Sequence, residues 1–524
     1  MRSTIGPPEP PLPALIVAGY GSALGSLFPV MTVIAVADIS GGLAVSSDNG
    51  ALVNTMQNLG AVAGLLMLPH LVAGIGRGRA MATIGFGFLI SSAACALAPT
   101  LGWMLPARLS HGMFGGALPL MFMLLVMTSL RQGHGRFEGV AAFAASTTLF
   151  FGFAASLGGA LVDHFGWRSL FWAQAFAAIP YCLAATQVLP DERGRPETLR
   201  TADWPSFILL SCGLGMILFA LSEGERHFWL EAWWVPALLL GGAILTGFAI
   251  HNLLANDRPL LLLAVFRRPT FRWAIVLSLF FRFGTLFAIF IVPQYLGRIQ
   301  GLRPAEIGTV LEWMVPATAV ALVAAYAFAR HFDSRWLLTG GLGCFAIASW
   351  LCADLTSDWA ADQLLTAAVI AGSGIGLFAV AVLRFATFGV TLQDGPTVGT
   401  IFNITRVIGV VGGLAILSHI VVEREKFHSA ILTENIAAAD PNSAQRLGSL
   451  SRGFARFSTD TSRAQDSAYA ALDGATSGQA FTLAFADAFT FSAIALALSA
   501  ILVWMLPRIP AEVAPSSFKR SKIA

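Results

Sequence analysis

The chain has 524 residues, of which 56% are hydrophobic and 12% charged, with a mean hydropathy of +0.72 and a formal net charge of +3. Soluble proteins carry about 25% charged residues, so the long uncharged runs here belong in a bilayer, where a crossing helix takes roughly 20 apolar residues. This argues against a soluble enzyme or a nucleic-acid binder, and against a disulfide scaffold too: Cys95, Cys182, Cys212, Cys344 and Cys352 lie in or beside apolar runs with no disulfide or zinc spacing.

Apolar runs bounded by charges, Gly and Pro predict fourteen spans. The first, near 13–37, follows Pro7, Pro8, Pro10, Pro11 and Pro13 rather than a basic segment and is too long for a signal-peptide core, so it reads as a retained helix. The second, near 50–71, sets Asn54, Gln57, Asn58 and Ala61 at i, i+3, i+4 and i+7, an uncharged polar stripe that suits a cavity wall or a helix contact. Beyond it lie Arg77 and Arg79, then a third span near 80–100. The fourth, near 103–129, carries Arg108-Leu109-Ser110-His111-Gly112, which puts a cation, a titratable ring, Gly112 and Gly115 on one helix face.

The fifth span, near 137–161, repeats small residues at Ala144, Thr148, Gly152, Ser156 and Ala160, with Gly158 and Gly159 alongside, which lets another helix approach closely. Spans near 167–189, 205–222 and 232–254 follow. The ninth, near 272–297, contains Arg282, whose nearest candidate partner is Glu312 in the tenth, near 306–330. Spans near 335–354 and 359–383 lead to the thirteenth, near 396–422, where Asn403 and Arg406 share a polar patch, and Gly372, Gly376, Gly409 and Gly413 repeat the small-residue spacing. The last span is near 484–506. Intramembrane ionisable residues are costly and mark function by default. Packing is the plainer expectation for the small-residue stripes, interhelical hydrogen bonding for Arg406, a satisfied core histidine for His111 and an interfacial position for Glu312.

With the N-terminus inside, one side of the membrane holds 19 of the 32 Lys and Arg residues, including Arg2, Arg131, Arg193, Lys519, Arg520 and Lys522, and the short loops of the other side hold four. The positive-inside rule therefore puts both termini in the cytoplasm. The single long loop, 423–483, then lies outside, and its apolar residues Phe427, Ile431, Leu432, Leu447, Leu450, Phe454 and Phe457 predict a small helical cap around Asp440-Pro441-Asn442-Ser443. Metal-binding His pairs, phosphate loops and paired soluble acids are missing, so no enzyme is expected.

The residues resemble the major facilitator superfamily, in particular its fourteen-helix drug:proton antiporter branch of EmrB-type permeases. Arg108-Leu109-Ser110-His111-Gly112 resembles the fourth-helix signature, and Gly152 to Gly159 followed by Asp163-His164-Phe165-Gly166-Trp167-Arg168 resembles the fifth-helix antiporter motif and its exit. Asn403-Ile404-Thr405-Arg406-Val407-Ile408-Gly409 is similar to the penultimate helix, and Arg424-Glu425-Lys426-Phe427-His428 through to Asp487-Ala488-Phe489 is similar to the long outer loop.

The resemblance implies an all-α membrane protein with the major facilitator fold. It implies a six-helix bundle over 1–190, two inserted helices over 191–271, a second bundle over 272–506 and a short basic tail over 507–524. The implied activity is export of toxic amphipathic small molecules from the bacterial inner membrane by alternating access. The proton gradient drives it, with no cofactor, and the partners are substrate, protons, membrane lipid and a periplasmic adaptor at 423–483. Arg108, His111 and Glu312 become proton-coupling candidates, and Asn54, Gln57, Asn58, Arg282, Asn403 and Arg406 cavity candidates. Arg77, Arg79, Gly112, Gly152, Gly158 and Gly159 become packing or gating candidates. The chain departs from the pattern at Ala73, Ala155, His111 and Phe28, where the family places an Asp, a Pro, a Gln and a first-helix Asp. With that last acid gone, the deep charges are Arg108, Arg282, Arg406 and His111 against Glu312, which favours neutral or anionic substrates over organic cations. A same-fold importer or exchanger is the alternative, and a non-transporting receptor or scaffold is a weaker one.

Overall fold

The structure, a computed structural model, describes residues 12–130, 134–189, 194–436, 441–457 and 460–508. Arg2, Arg131, Arg193, Asp440 and the basic tail with Lys519, Arg520 and Lys522 lie outside the described residues. The first half comprises α1 (Leu12–Ile34), the short α2 (Val36–Gly42), α3 (Ser47–Ile75), α4 (Arg77–Ala96), α5 (Leu101–Ser129), α6 (His134–Thr148), α7 (Phe153–Phe165) and α8 (Arg168–Ala185). A one-turn α9 (Pro196–Arg200) leads to the hairpin α10 (Trp204–Glu223) and α11 (Trp234–Ala255). The second half contains α12 (Pro269–Leu286), α13 (Val292–Arg298), α14 (Pro304–Leu311), α15 (Met314–His331), α16 (Ser334–Leu351), α17 (Leu365–Thr387), α18 (Gly395–Asn435), α19 (Pro441–Phe454) and α20 (Thr461–Leu502).

Among the described residues, eleven helices are long and apolar enough to cross a membrane, or twelve if the pair α6 and α7, bent by 40°, is one span. Fourteen were expected. The two remaining positions are held by α8 and α16, 18 residues each with an arginine in the first turn, which fall short of the same measure.

The expected fifth span is broken at 149–152, where Gly152 meets the Leu311 carbonyl: a Cβ there would stand 2.3 Å from that oxygen. The break between α14 and α15 lies at the same level, so two jointed helices face each other. The ninth span changes pitch instead. Phe287–Ile291 forms a π-helical turn between α12 and α13, just ahead of Pro293, which supplies no N–H to the ladder.

Glycines set how closely the helices cross. Substituent carbons at Gly60, Gly64 and Gly112 would fall about 2 Å from the carbonyls of Leu109, Met113 and Gln57, so α3 and α5 meet backbone to backbone. Gly372 and Gly376 do the same between α17 and α15, whereas Gly409 and Gly413 of α18 admit the side chains of Arg282, Leu279, Leu286 and Phe283 of α12. The α10–α11 hairpin touches the bundle through α3 and α18 and turns Leu240, Phe248 and Leu254 outward, as a lipid-facing hairpin should. Its base is tied by Asp203, which caps α10 at Ser206 N (3.2 Å) and accepts from Asn252 Nδ2 (3.1 Å) and Leu260 N (3.2 Å).

The described part of the outer loop is helical, as its apolar spacing predicts, and its helices are continuous with the flanking spans. Helix α18 continues from the thirteenth span to Asn435, and α20 begins at Thr461 and continues into the last span. Helices of 41 and 42 residues are about 60 Å long, twice a ~30 Å hydrocarbon core, so both project as a stalk, with α19 packed on α20. Arg424 Nε and His428 Nε2 of α18 share Asp487 Oδ2 of α20, at 2.6 and 2.7 Å, and clasp the base of the stalk.

Candidate functional site

A cavity of ≈ 950 Å³ lies between the halves. Helix α1 contributes Ser26 and Pro29, α3 contributes Asn54, Gln57 and Asn58, and α5 shows only the glycine edge Gly112 and Gly116. From the second half come Arg282, Leu286 and the π-turn residues Ile289 and Phe290, with Asn403, Arg406, Val407 and Val410 of α18. Apolar walls with a few placed polar groups are the usual make-up of a small-molecule site.

The floor lies toward the face at which α1 begins and α20 ends. There α18 lies on α5 through Gly395, Gly399 and Asn403, every fourth residue, against Met127, Leu120 and Met123. Arg136 Nη1 of α6 reaches across to the Val390 carbonyl (2.8 Å), and the Phe137 ring stacks on Tyr326 of α15 at 5.3 Å. At the opposite face the lining ends in Asp38, Glu225, Arg226, Arg298 and Arg303. Arg303 bonds both Asp163 (2.6 Å) and Asp38 (3.1 Å) of the first half, and these two carboxylates raise its pKa above the ordinary guanidinium value. The cavity is sealed toward the chain ends and approached from the other face, where Arg303 forms a partial latch.

The six cavity candidates converge. Asn54, Gln57, Asn58, Arg282, Asn403 and Arg406 all line the space. The Arg282–Glu312 pairing considered from the sequence is absent: Glu312 Oε2 accepts from Ser156 Oγ at 3.1 Å in the contact between the two jointed helices. Arg406 Nη2 donates to Ser26 Oγ at 3.2 Å, and Asn403 Nδ2 to the Gly399 carbonyl at 2.9 Å.

Arg108 and His111 lie behind α3, outside the cavity lining. Arg108 Nε donates to the Val53 carbonyl (3.2 Å), its guanidinium stands over Phe171, and Nη1 is 3.4 Å from His111 Nδ1. A guanidinium only donates, so that contact is a bond only when Nδ1 is unprotonated and the ring proton sits on Nε2. Arg77 Nη1 donates to Ser129 Oγ (2.6 Å) within the first half, and Arg79 gives its carbonyl to Thr83. Ala73, where the family's Asp is missing, instead offers its carbonyl to Arg195 N (3.0 Å). Gly152 and Gly159 form the α7–α14 contact, and Gly158 packs on Met31.

Glu223 was missed by sequence reasoning, because it falls just past the expected end of the seventh span. It is 3% exposed, accepts from Thr55 Oγ1 (2.8 Å) and Arg226 Nη1 (3.2 Å), and fastens the hairpin to the cavity wall. Thr55 sits inside the Asn54–Asn58 stripe but off its register, so the periodicity gave no sign of it. Ser26 lacked a signal altogether.

Known proteins agree with this architecture. The chain is 23% identical over 436 residues to multidrug resistance protein Stp of Mycobacterium tuberculosis, covering 82% of this chain and 79% of that one. It is 24% identical to colistin resistance protein EmrB of Acinetobacter baumannii (80% and 82% covered) and 27% identical to a methylenomycin A resistance protein of Streptomyces coelicolor (67% and 74%). Among solved structures, the proton:xylose symporter XylE of E. coli matches with a TM-score of 0.60 at 11% identity, covering 96% of this chain and 97% of its own, a likeness of fold alone. The sequence family described as Major Facilitator Superfamily matches residues 14–414, and the chain, a multi-pass membrane protein, belongs to that superfamily of transporters.

Proposed function

We propose that the protein exports amphipathic toxic small molecules across a bacterial inner membrane by proton-coupled alternating access. The observation that carries this is the ≈ 950 Å³ cavity between the two halves, apolar-walled, closed toward the chain ends and approached from the opposite face. With both termini cytoplasmic, as the arginine bias indicates, this arrangement is the outward-facing state. The backbone contacts between halves at Gly152 and Gly159 suit bodies that rock on one another. The relatives named for multidrug, colistin and methylenomycin resistance support efflux of drug-like compounds. The first-half bundle, the inserted hairpin and the second-half bundle are the units of that motion. The stalk over 423–483 is the surface for a periplasmic adaptor.

The test is uptake into inverted vesicles, energised by a proton gradient, of a labelled aromatic weak acid and a lipophilic cation, with and without an uncoupler. Uncoupler-sensitive uptake of either compound supports export. Uptake that the uncoupler leaves unchanged, or none, refutes it.

A further inference from the structure

Two guanidinium groups enter the cavity from the second half with no acid to meet them. Arg282 is 4% exposed, its ring contact is with Phe281 (4.8 Å), and its Nε has no hydrogen-bond partner. Among the described residues Arg406 bonds only the neutral Ser26 hydroxyl, and its buried Nη1 has no partner. Among the described residues neither arginine is within salt-bridge reach of a carboxylate, and the charge that bears on Arg282 is that of Arg406, of like sign. The cavity's acids, Asp38 and Glu225, are at its mouth.

This arrangement has no structural economy. A buried arginine that staples helices bonds carbonyls, as Arg136 does with those of Val390 and Met127. Arg282 bonds none among the described residues, yet α18 is brought against it by a glycine: a Cβ at Gly409 would stand 2.9 Å from Arg282 Cβ. Since Gly409 follows Arg406 by three residues, the same crossing brings the two side chains to one part of the wall. Unpaired charge in a low-dielectric site is costly, and the forked donors of arginine match a planar oxyanion. From α3 the same cavity is lined by Asn54, Gln57 and Asn58, which carry no charge.

We propose that Arg282 and Arg406 together form the anion-binding end of the cavity, so that the preferred substrates are amphipathic organic monoanions, with the charged end between the two arginines and the apolar body along Leu286, Ile289, Phe290 and Val410. This rests on the export reading for its consequence, though the binding stands apart from it. An anionic lipid headgroup presents the same chemistry, and a soluble organic acid is the occupant favoured here, because the site is in a cavity between the halves and not on the lipid-facing surface.

The experiment uses the full chain in nanodiscs of phosphatidylcholine, with a fluorescent aromatic carboxylic acid, its primary amide and tetraphenylphosphonium as probes. The acid is expected to bind at least about tenfold more tightly than its amide, as charge-assisted bonds are stronger than neutral ones. R282Q and R406Q should each bring the two affinities together, and R406K should restore part of the gap. Equal binding of acid and amide by the wild-type protein overturns the proposal without any variant, so misfolding of a variant leaves it testable. A repeat in phosphatidylglycerol discs separates the sources: retained binding at matched ionic strength supports a soluble anion, whereas loss of the acid's advantage assigns the site to lipid and overturns the proposal. Coupled transport of the cation or amide without preferential acid binding would remove the anion site and leave export intact. Tight acid binding without coupled flux of any probe would do the reverse.

Discussion

Gly159→Ala tests whether the contact between the jointed helices governs the opposite-face gate. A methyl group there would fall 2.2 Å from Ala305 N and 2.6 Å from its Cα, both backbone atoms, so α7 and α14 must part by more than an ångström locally. Overpacking of this kind costs about 1–3 kcal/mol, and it penalises only states in which the two helices touch, as they do in this outward-facing arrangement. At roughly 1.36 kcal/mol per factor of ten, the ratio of this arrangement to one in which the two helices have parted should fall about 5- to 150-fold. In a cysteine-free background, alkylation of Asn54→Cys by an impermeant maleimide from that face should slow, while transport turnover falls. Gly412→Ala, on α18 with open space at its Cβ, is the control and should alter neither. Unchanged labelling and transport in Gly159→Ala would refute the idea that this contact sets the gate.

Arg303→Ala should act in the same direction but more weakly, within about thirtyfold on the same labelling assay, because exposed ion pairs are worth about 0–1 kcal/mol each and this guanidinium, 54% exposed, makes two. An effect larger than that of Gly159→Ala would reverse the ranking of charge and packing at the gate. Glu223→Gln should cost about 1.5–3 kcal/mol, the range for bonds to charged groups, read as a lower melting temperature of the purified protein. Thr55→Val should add little on top of it, and full additivity would show that the Thr55–Glu223 bond is not the fastening. Asp394 is partly buried, which works against its ionisation, but bonds from Thr391 and Arg268 outweigh this and hold its carboxyl below the ordinary carboxylate value. Its stabilisation is therefore complete above the unfolded pKa of about 3.9 and is lost as pH falls through the lower folded value. Asp394→Asn should melt earlier than wild type at neutral pH, with the gap closing below about pH 4, and a pH-independent gap would exclude the Arg268–Asp394 pair as its cause.

The order and approximate placement of the membrane helices were legible in the sequence, because a helix in lipid must satisfy its own backbone and so leaves an apolar run of fixed length. The close crossings at Gly112, Gly152 and Gly372 were legible for a similar reason: only a missing side chain permits backbone contact. The polar stripe of α3 announced a cavity or a contact, and it serves both, since the Gln57 carbonyl meets Gly112 while Asn54, Gln57 and Asn58 line the space. The reach of α18 and α20 beyond the bilayer was hidden, because polar helices projecting into water carry no hydropathy signal even where glycine and proline are absent, as from Leu414 to Asn435. The partner of Arg282 was also out of reach. Glu312 sits nearby in sequence at a plausible depth, yet α14 packs on α7 and α12 packs on α18, so the acid meets Ser156 and the arginine lines the same cavity as Arg406. The sequence by itself determined which charges lie in the membrane, because hydropathy is a property of each segment alone. Only the tertiary structure decided which of them face one another across the cavity, because that depends on which helices are neighbours and on how each is rotated about its axis.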